Sequence, residues 1–260
     1  MIPRDLHVHS AFSDGHDTPE DIVLEALSLG MDTIGFSDHS YTEPDSECTL
    51  SLPRYAEYTD EIARLKEKYR GRIRVLCGME QDLESSPPPD GLDYLIGSVH
   101  LIPKNGTMIS VDWKPEILIN AVRDLYDGDP LALCEDYYAR TEKLAETECG
   151  IVGHFDLISK FSEKAPWFDP AHPRYIAAWK KAADTLLSAG KTFELNTGAI
   201  SRGWRTSPYP RIEMLEYIRE RGGRFILGSD SHRKDTLRYE FDRYESLLTE
   251  RDLGGPYYQL

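Results

Sequence analysis

The chain has 260 residues, 40% of them hydrophobic and 29% charged, as in soluble globular domains, and no run approaches the roughly 20 apolar residues of a membrane span. Its formal charge of −15 opposes a general attraction to nucleic-acid backbones or anionic membranes, which both need a basic face. An anionic substrate must therefore be held by local cations, which gives bound metal ions a purpose.

The N-terminus lacks the basic, apolar and small-residue segments of a secretory signal, so a cytoplasmic location is expected. Cys48, Cys77, Cys134 and Cys149 are scattered without CxxC spacing and read as reduced thiols. The first apolar, β-branched run, residues 2–8, predicts a buried strand ending in Asp5-Leu6-His7-Val8-His9. A helix follows, with Thr18 as N-cap, Pro19 at its first position, Asp21 completing a capping-box pattern and Gly30 as stop. The second strand, 33–37, ends in Asp38-His39, and the irregular segment 41–52 carries Glu43, Asp45 and Glu47. A helix over 53–69 leads to a third strand, 73–79, with Glu80 next, and then to a loop containing Pro87-Pro88-Pro89.

The fourth strand, 94–99, is followed by His100, and helices are predicted over 116–126 and 131–147. The fifth, 151–154, ends in Gly153-His154. After an irregular 160–170 and a helix over 172–189 comes the sixth strand, 192–195. A helix over 210–221 precedes the seventh, 224–228, which runs into Ser229-Asp230-Ser231-His232. Strands alternating with helices predict a parallel sheet. Seven such units without a linker favour one closed barrel, a single domain over 1–260.

Six of the eight histidines, His7, His9, His39, His100, His154 and His232, lie at or just after predicted strand ends. In a parallel barrel those ends share one face, where barrel active sites lie. His7 and His9, two positions apart on extended backbone, point to the same side. Alone, such a pair equally fits two satisfied core histidines; together with the other strand ends it reads as a metal grip. Imidazole and carboxylate without thiolate suit Zn²⁺, Mn²⁺ or Fe²⁺. Glu80, on the middle strand, can bridge two ions through its two oxygens. Asp14, in Ser13-Asp14-Gly15, fits either a turn residue or a ligand, with His16 as a competing ligand nearby. His172, beside Pro173 at a helix start, reads as a surface residue.

Asp5-Leu6-His7-Val8-His9-Ser10, Asp38-His39, Glu80, Ser98-Val99-His100, Gly153-His154 and Ser229-Asp230-Ser231-His232 together resemble the polymerase-and-histidinol-phosphatase (PHP) family of phosphoesterases. The resemblance covers almost the whole chain and implies a distorted (β/α)7 TIM-like barrel with three divalent metal ions. It implies that His7, His9, Glu80 and Asp230 hold one ion, Glu80, His100 and His154 a second, and Asp14, His39 and His232 a third. Within the family, the stand-alone length and the run from Asp5 to Gly15 are similar to the monofunctional histidinol-phosphate phosphatases. A metal-dependent hydrolysis of L-histidinol phosphate to L-histidinol and phosphate is thereby implied, with Glu80, Asp230 and His232 in catalytic roles.

A phosphate should also meet basic side chains on barrel-face loops. Arg202, after the sixth strand, is the first choice because a planar guanidinium matches phosphate oxygens. Lys160 and Ser207 are weaker choices; the alternative for each is an ordinary solvated loop residue, and for Lys160 the two readings are equal. Glu43, Asp45 and Glu47 could face a cationic substrate or form a solvated surface. Two alternatives remain: another small phosphate ester on the same scaffold, and an amidohydrolase-type metal barrel. The partner expected is a small phosphorylated substrate, with neither nucleic acid nor membrane, and the sequence says nothing about oligomeric state.

Overall fold

A computed structural model of the protein describes residues 3–248. Seven strands, β1 (Arg4–Asp5), β2 (Thr33–Phe36), β3 (Arg74–Asp82), β4 (Tyr94–Ser98), β7 (Ile151–Val152), β8 (Thr192–Asn196) and β9 (Phe225–Gly228), form one sheet in that order. Every neighbouring pair is parallel. A parallel bridge between Val8 and Ser231, with the His9 N–H donating to Ser231 O at 2.8 Å, brings the first and last strands together and nearly closes the barrel. The expected seven-stranded, single-domain barrel is therefore observed; residues 1–2 and 249–260 of the expected span lie outside the described residues. None of the described helices is long and apolar enough to cross a membrane.

The connecting helices are α1 (Pro19–Ser28), α2 (Tyr55–Lys68), α3 (Pro115–Leu125), α4 (Pro130–Thr141), α5 (Pro173–Ser188), α6 (Gly198–Ser201), α7 (Ile212–Glu220) and α8 (Phe241–Glu245). The cap of α1 forms as its sequence requires: Thr18 Oγ1 accepts from the Asp21 N–H at 3.2 Å, and Gly30 takes φ 69° past the end. The helix expected over 131–147 ends at Thr141 and continues as a 3₁₀ stretch, Glu142–Glu146. Thr141 Oγ1 donates to Tyr137 O at 2.9 Å, a back-bond that bends a helix.

Two further differences shape the site. A hairpin, β5 (Leu101–Lys104) and β6 (Thr107–Ser110), follows β4 where no strand was expected. Asn105 and Gly106, with φ 49° and 81°, make its turn, and Asn-Gly is the dipeptide such a turn prefers. The first strand is also shorter than expected, pairing with β2 only at Arg4 and Asp5. The buried Asp5 carboxylate accepts the freed N–H of His7 at 3.3 Å and those of Ser229 and Arg238 at 3.1 Å each, so these three donors are satisfied where the ladder ends.

Along the strands side chains alternate between two environments. Phe193, Leu195, Phe225 and Leu227 join one outer core with α4, α5 and α7, while Ile34, Phe36, Val75, Cys77 and Met79 join another with α1 and α2. Inside the barrel Leu6, Leu76, Tyr94, Ile96, Ile151 and Ile226 form a separate apolar layer. Tyr94 spans it, its hydroxyl 2.6 Å from Leu6 O and 3.0 Å from Phe36 O. Gly35 and Gly78 leave its ring room, since a Cβ on Gly78 would lie 2.3 Å from Tyr94 Cζ. Above this plug the inward positions turn polar.

Candidate metal centre

Glu80 is the inward residue near the carboxyl end of β3, with its side chain 1% exposed. Its two oxygens face different histidines. Oε2 lies 3.0 Å from His39 Nδ1, 3.2 Å from His7 Nε2 and 3.5 Å from His9 Nε2. Oε1 lies 2.8 Å from His154 Nε2 and 3.5 Å from His100 Nε2, and accepts from Ser98 Oγ at 2.5 Å. Asp230 Oδ1 stands 3.5 Å from His9 Nε2 and 3.9 Å from His7 Nε2. Asp14 Oδ2 stands 3.1 Å from His232 Nε2 and 3.8 Å from His39 Nε2.

Four overlapping groups result, each with potential ligand atoms within 4.8 Å of one another: His7, His9, Asp230; His7, Glu80, His154; His39, Glu80, His100; and His9, Asp14, His39, His232. All nine residues expected at a metal thus converge. His16 stays outside these groups and is exposed. Asp14 also shows its turn character, because the neighbouring Gly15 N–H donates to Ser10 O at 3.0 Å. His172 caps α5, its Nδ1 accepting from the Arg174 N–H.

Buried nitrogen and oxygen atoms rarely go without a partner, yet His7 Nε2, both ring nitrogens of His9, His154 Nδ1 and Glu80 Oε2 form no hydrogen bond among the described residues. Divalent cations in the middle of the cluster would satisfy several at once, and the oxygen and imidazole donor set suits such ions. The cluster can bind several metal ions.

The electrostatics agree. Burial opposes charge throughout, but Glu80 and Asp14 push His39 up to about 10, and Glu80 and Asp82 push His100 up to about 9. Burial, with His232 and His39 close by, drives His9 down to about 3. Against burial, His7, His39 and His100 hold Glu80 well below the usual carboxylate range, and Arg202 and His7 do the same for Asp230. The carboxylates thus already attract positive charge that a metal would supply.

Asp230 takes φ 51°, in the left-handed region that costs an L-residue about 1 kcal/mol. Gly198 makes space for it, because a Cβ there would lie 2.8 Å from Asp230 Oδ2. Arg202 lies beside Asp230, donating from NH2 to Oδ2 at 2.7 Å and from NH1 to the backbone oxygen at 2.9 Å. Its NH1 is also 3.2 Å from His232 Nδ1. Lys160 Nζ donates to Asp112 O at 2.7 Å and lies 3.4 Å from Asp112 Oδ2. Ser207 Oγ accepts from Arg205 NH2 at 3.1 Å and is not among the residues lining the cavity over the cluster, while Arg205 NH1 also donates to the buried Ser159 Oγ.

A cavity of about 290 Å³ opens over the cluster, lined by Asp14, His39, His100, His154, Asp230 and His232, with Lys160 and Arg202 on its wall. Asp45, Cys48, Asp112, Trp113 and Trp204 complete its mouth. A groove of about 560 Å³ between α5 and α7 is larger but holds no histidine and lies on the outer helical layer. Sequence reasoning missed Asp112 and Trp113, which the unforeseen hairpin delivers to the cavity. It also missed Glu194, a fully buried glutamate whose Oε1 lies 2.6 Å from His7 Nδ1. Two signals for it existed: an acid inside an apolar strand, and its alternation with Phe193 and Leu195.

Comparison with known families decides the relationship: the model of the PHP domain matches residues 5–198. The chain belongs to the PHP family. Among relatives of this PHP protein, the histidinol-phosphatase of Lactococcus lactis is 28% identical, with 89% of this chain and 85% of that protein covered. The histidinol-phosphatase of Bacillus subtilis is 24% identical over 94% of this chain and 98% of that one. A solved structure from Listeria monocytogenes has the same fold, with a TM-score of 0.80 and 19% identity, covering 93% of this chain and 99% of its own. The L. lactis histidinol phosphate phosphatase, solved with zinc, L-histidinol and phosphate, shares the fold at a TM-score of 0.72 and 21% identity, over 97% of this chain and 94% of that one.

Proposed function

We propose that the protein is a metal-dependent phosphomonoesterase that hydrolyses L-histidinol phosphate to L-histidinol and phosphate. The observation that carries this reading is Glu80, whose two oxygens serve separate sets of histidines within one buried cluster. PHP membership and two histidinol-phosphatase relatives aligned along most of the chain support the substrate.

In this reading His7, His9, Glu80 and Asp230 hold one divalent ion, Glu80, His100 and His154 a second, and Asp14, His39 and His232 a third. Ions bound there would lower the pKa of water toward neutrality and neutralise phosphoryl oxygens. The chain's own groups do the rest. Glu80 would contribute Oε2 beside His7, His9 and His39 and Oε1 beside His100 and His154, so one buried carboxylate would take part in holding more than one ion. Arg202 holds Asp230 in place and leaves part of its guanidinium facing the cavity, where it can meet phosphate oxygens. Lys160, also on the cavity wall, adds a second positive charge. His232 Nε2, 3.1 Å from Asp14 Oδ2, would be a ligand of the third ion, whose positive charge would offset the charge developing on the leaving alkoxide. Asp45 and Asp112 at the mouth suit a cationic leaving group such as an amino alcohol, whereas Glu43 and Glu47 point to solvent.

The direct test measures phosphate release from L-histidinol phosphate against a panel of phosphomonoesters, with and without a chelator. Strong preference for L-histidinol phosphate, abolished by chelation, is expected. Equal activity in chelated and metal-replete protein would overturn the mechanism. Faster turnover of another ester would overturn only the substrate.

A further inference from the structure

We infer that Glu194 is a positioning residue that sets which nitrogen of His7 faces the metal centre. The inference rests on the reading of His7 as a metal ligand. Glu194 lies in the middle of β8, points into the barrel and is 0% exposed. Both of its oxygens are engaged. Oε1 is 2.6 Å from His7 Nδ1. Oε2 accepts from the His154 backbone N–H at 2.9 Å and from Asn196 Nδ2 at 2.9 Å. The orientation of the Asn196 amide is in turn set by its Oδ1, which accepts from the Gly198 N–H at 2.8 Å.

Two of the three partners, the His154 backbone N–H and the Asn196 amide, donate to Glu194, which marks its carboxylate as an acceptor. A carboxylate can only accept, so Nδ1 of His7 carries the hydrogen and Nε2 keeps its lone pair. That Nε2 is the atom 3.2 Å from Glu80 Oε2 and 3.9 Å from Asp230 Oδ1, with no hydrogen bond of its own. The same carboxylate fixes the backbone of His154, whose ring reaches the other oxygen of Glu80. One buried acid thus orients residues on both sides of Glu80. Gly228 opposite has room for nothing larger, because a Cβ there would lie 1.8 Å from Glu194 Oε1.

Glutamine has nearly the same shape but replaces one accepting oxygen with an NH₂ group, which must then face an N–H donor. Glu194→Gln therefore separates acceptor chemistry from space filling. Zinc affinity, measured by competition with a chromogenic chelator, should fall about 10- to 100-fold in this variant while its circular dichroism stays that of the wild type. Affinity unchanged from wild type would overturn the inference. A second measurement needs no variant at this site: in zinc-loaded wild-type protein, ¹⁵N-resolved NMR of the His7 ring, assigned by its loss in His7→Asn, should show the proton on Nδ1. A proton on Nε2 would overturn the inference even if Glu194→Gln does not fold. Wild-type protein that takes up no divalent metal would instead overturn the metal reading of His7 on which the inference stands.

Discussion

Arg202 NH2 donates to Asp230 Oδ2 at 2.7 Å, so the guanidinium expected to meet phosphate is also the main partner of a carboxylate beside His7 and His9. One side chain then has two duties. Arg202→Ala should raise KM for a phosphate ester and also lower kcat about tenfold, because a hydrogen bond to a charged group is worth about 1.5–3 kcal/mol. Steady-state kinetics separate the two effects. A rise in KM with kcat untouched would show that Arg202 binds substrate without governing Asp230.

Glu80→Gln should be the more severe change. An amide has one accepting oxygen where Glu80 uses two, so zinc stoichiometry by elemental analysis should drop and activity should fall by more than about 100-fold. Losses similar to those of Arg202→Ala would contradict the bridging role.

Asp45 lies at the cavity mouth with Asp112 nearby, and burial together with that second acid raises its pKa. Asp45→Asn should lower kcat/KM for L-histidinol phosphate roughly fivefold, the effect of one partly screened ion pair of about 1 kcal/mol. Turnover of an aryl phosphate, whose leaving group carries no positive charge, should be unchanged. Equal losses on both substrates would rule out recognition of a cationic leaving group.

Burial raises the pKa of Asp112, but Lys160 and His100 outweigh it and hold the group down to about 2. A carboxylate whose pKa is depressed on folding contributes stability above its unfolded value of about 4, and loses that contribution as pH falls toward its folded value. Between about pH 4 and pH 2 the protein should therefore lose stability through Asp112. Lys160→Met should flatten that part of the acid-unfolding profile, followed by circular dichroism at closely spaced pH values. An unchanged profile would mean that the pair does not couple to folding.

Gly78→Ala tests the plug beneath the centre. The added methyl would meet the Tyr94 ring at 2.3 Å inside a packed barrel. A loss of about 1–3 kcal/mol in urea unfolding is expected, the usual scale of overpacking. Wild-type stability would show that Tyr94 can move aside, against its two backbone contacts at Leu6 and Phe36.

The seven strands, the cap at Thr18 and the histidines at the strand ends were legible because each has a local signature. Apolar runs mark buried strands, Thr-Pro-x-Asp marks a helix start, and a parallel barrel gathers strand ends on one face whatever its details. The β5–β6 hairpin was not foreseen, because its strands are only four residues each, although the Asn105-Gly106 turn between them is a local signal of the same kind. Ser207 shows the limit of such reading. It follows Arg202 and Trp204, which do line the cavity, yet its hydroxyl is engaged by Arg205, a partner that no local pattern signals.

By itself, then, the sequence determined the order of the seven barrel strands, the barrel class and the set of residues able to hold metal. Tertiary structure decided how they divide: Asp14 rather than His16 at the cluster, Arg202 against Asp230, Glu194 behind His7. The physical reason is range. Alternation and capping act over a few residues along the chain, whereas Glu194 and His7 are 187 residues apart and come within 2.6 Å only when β1 and β9 meet to close the barrel.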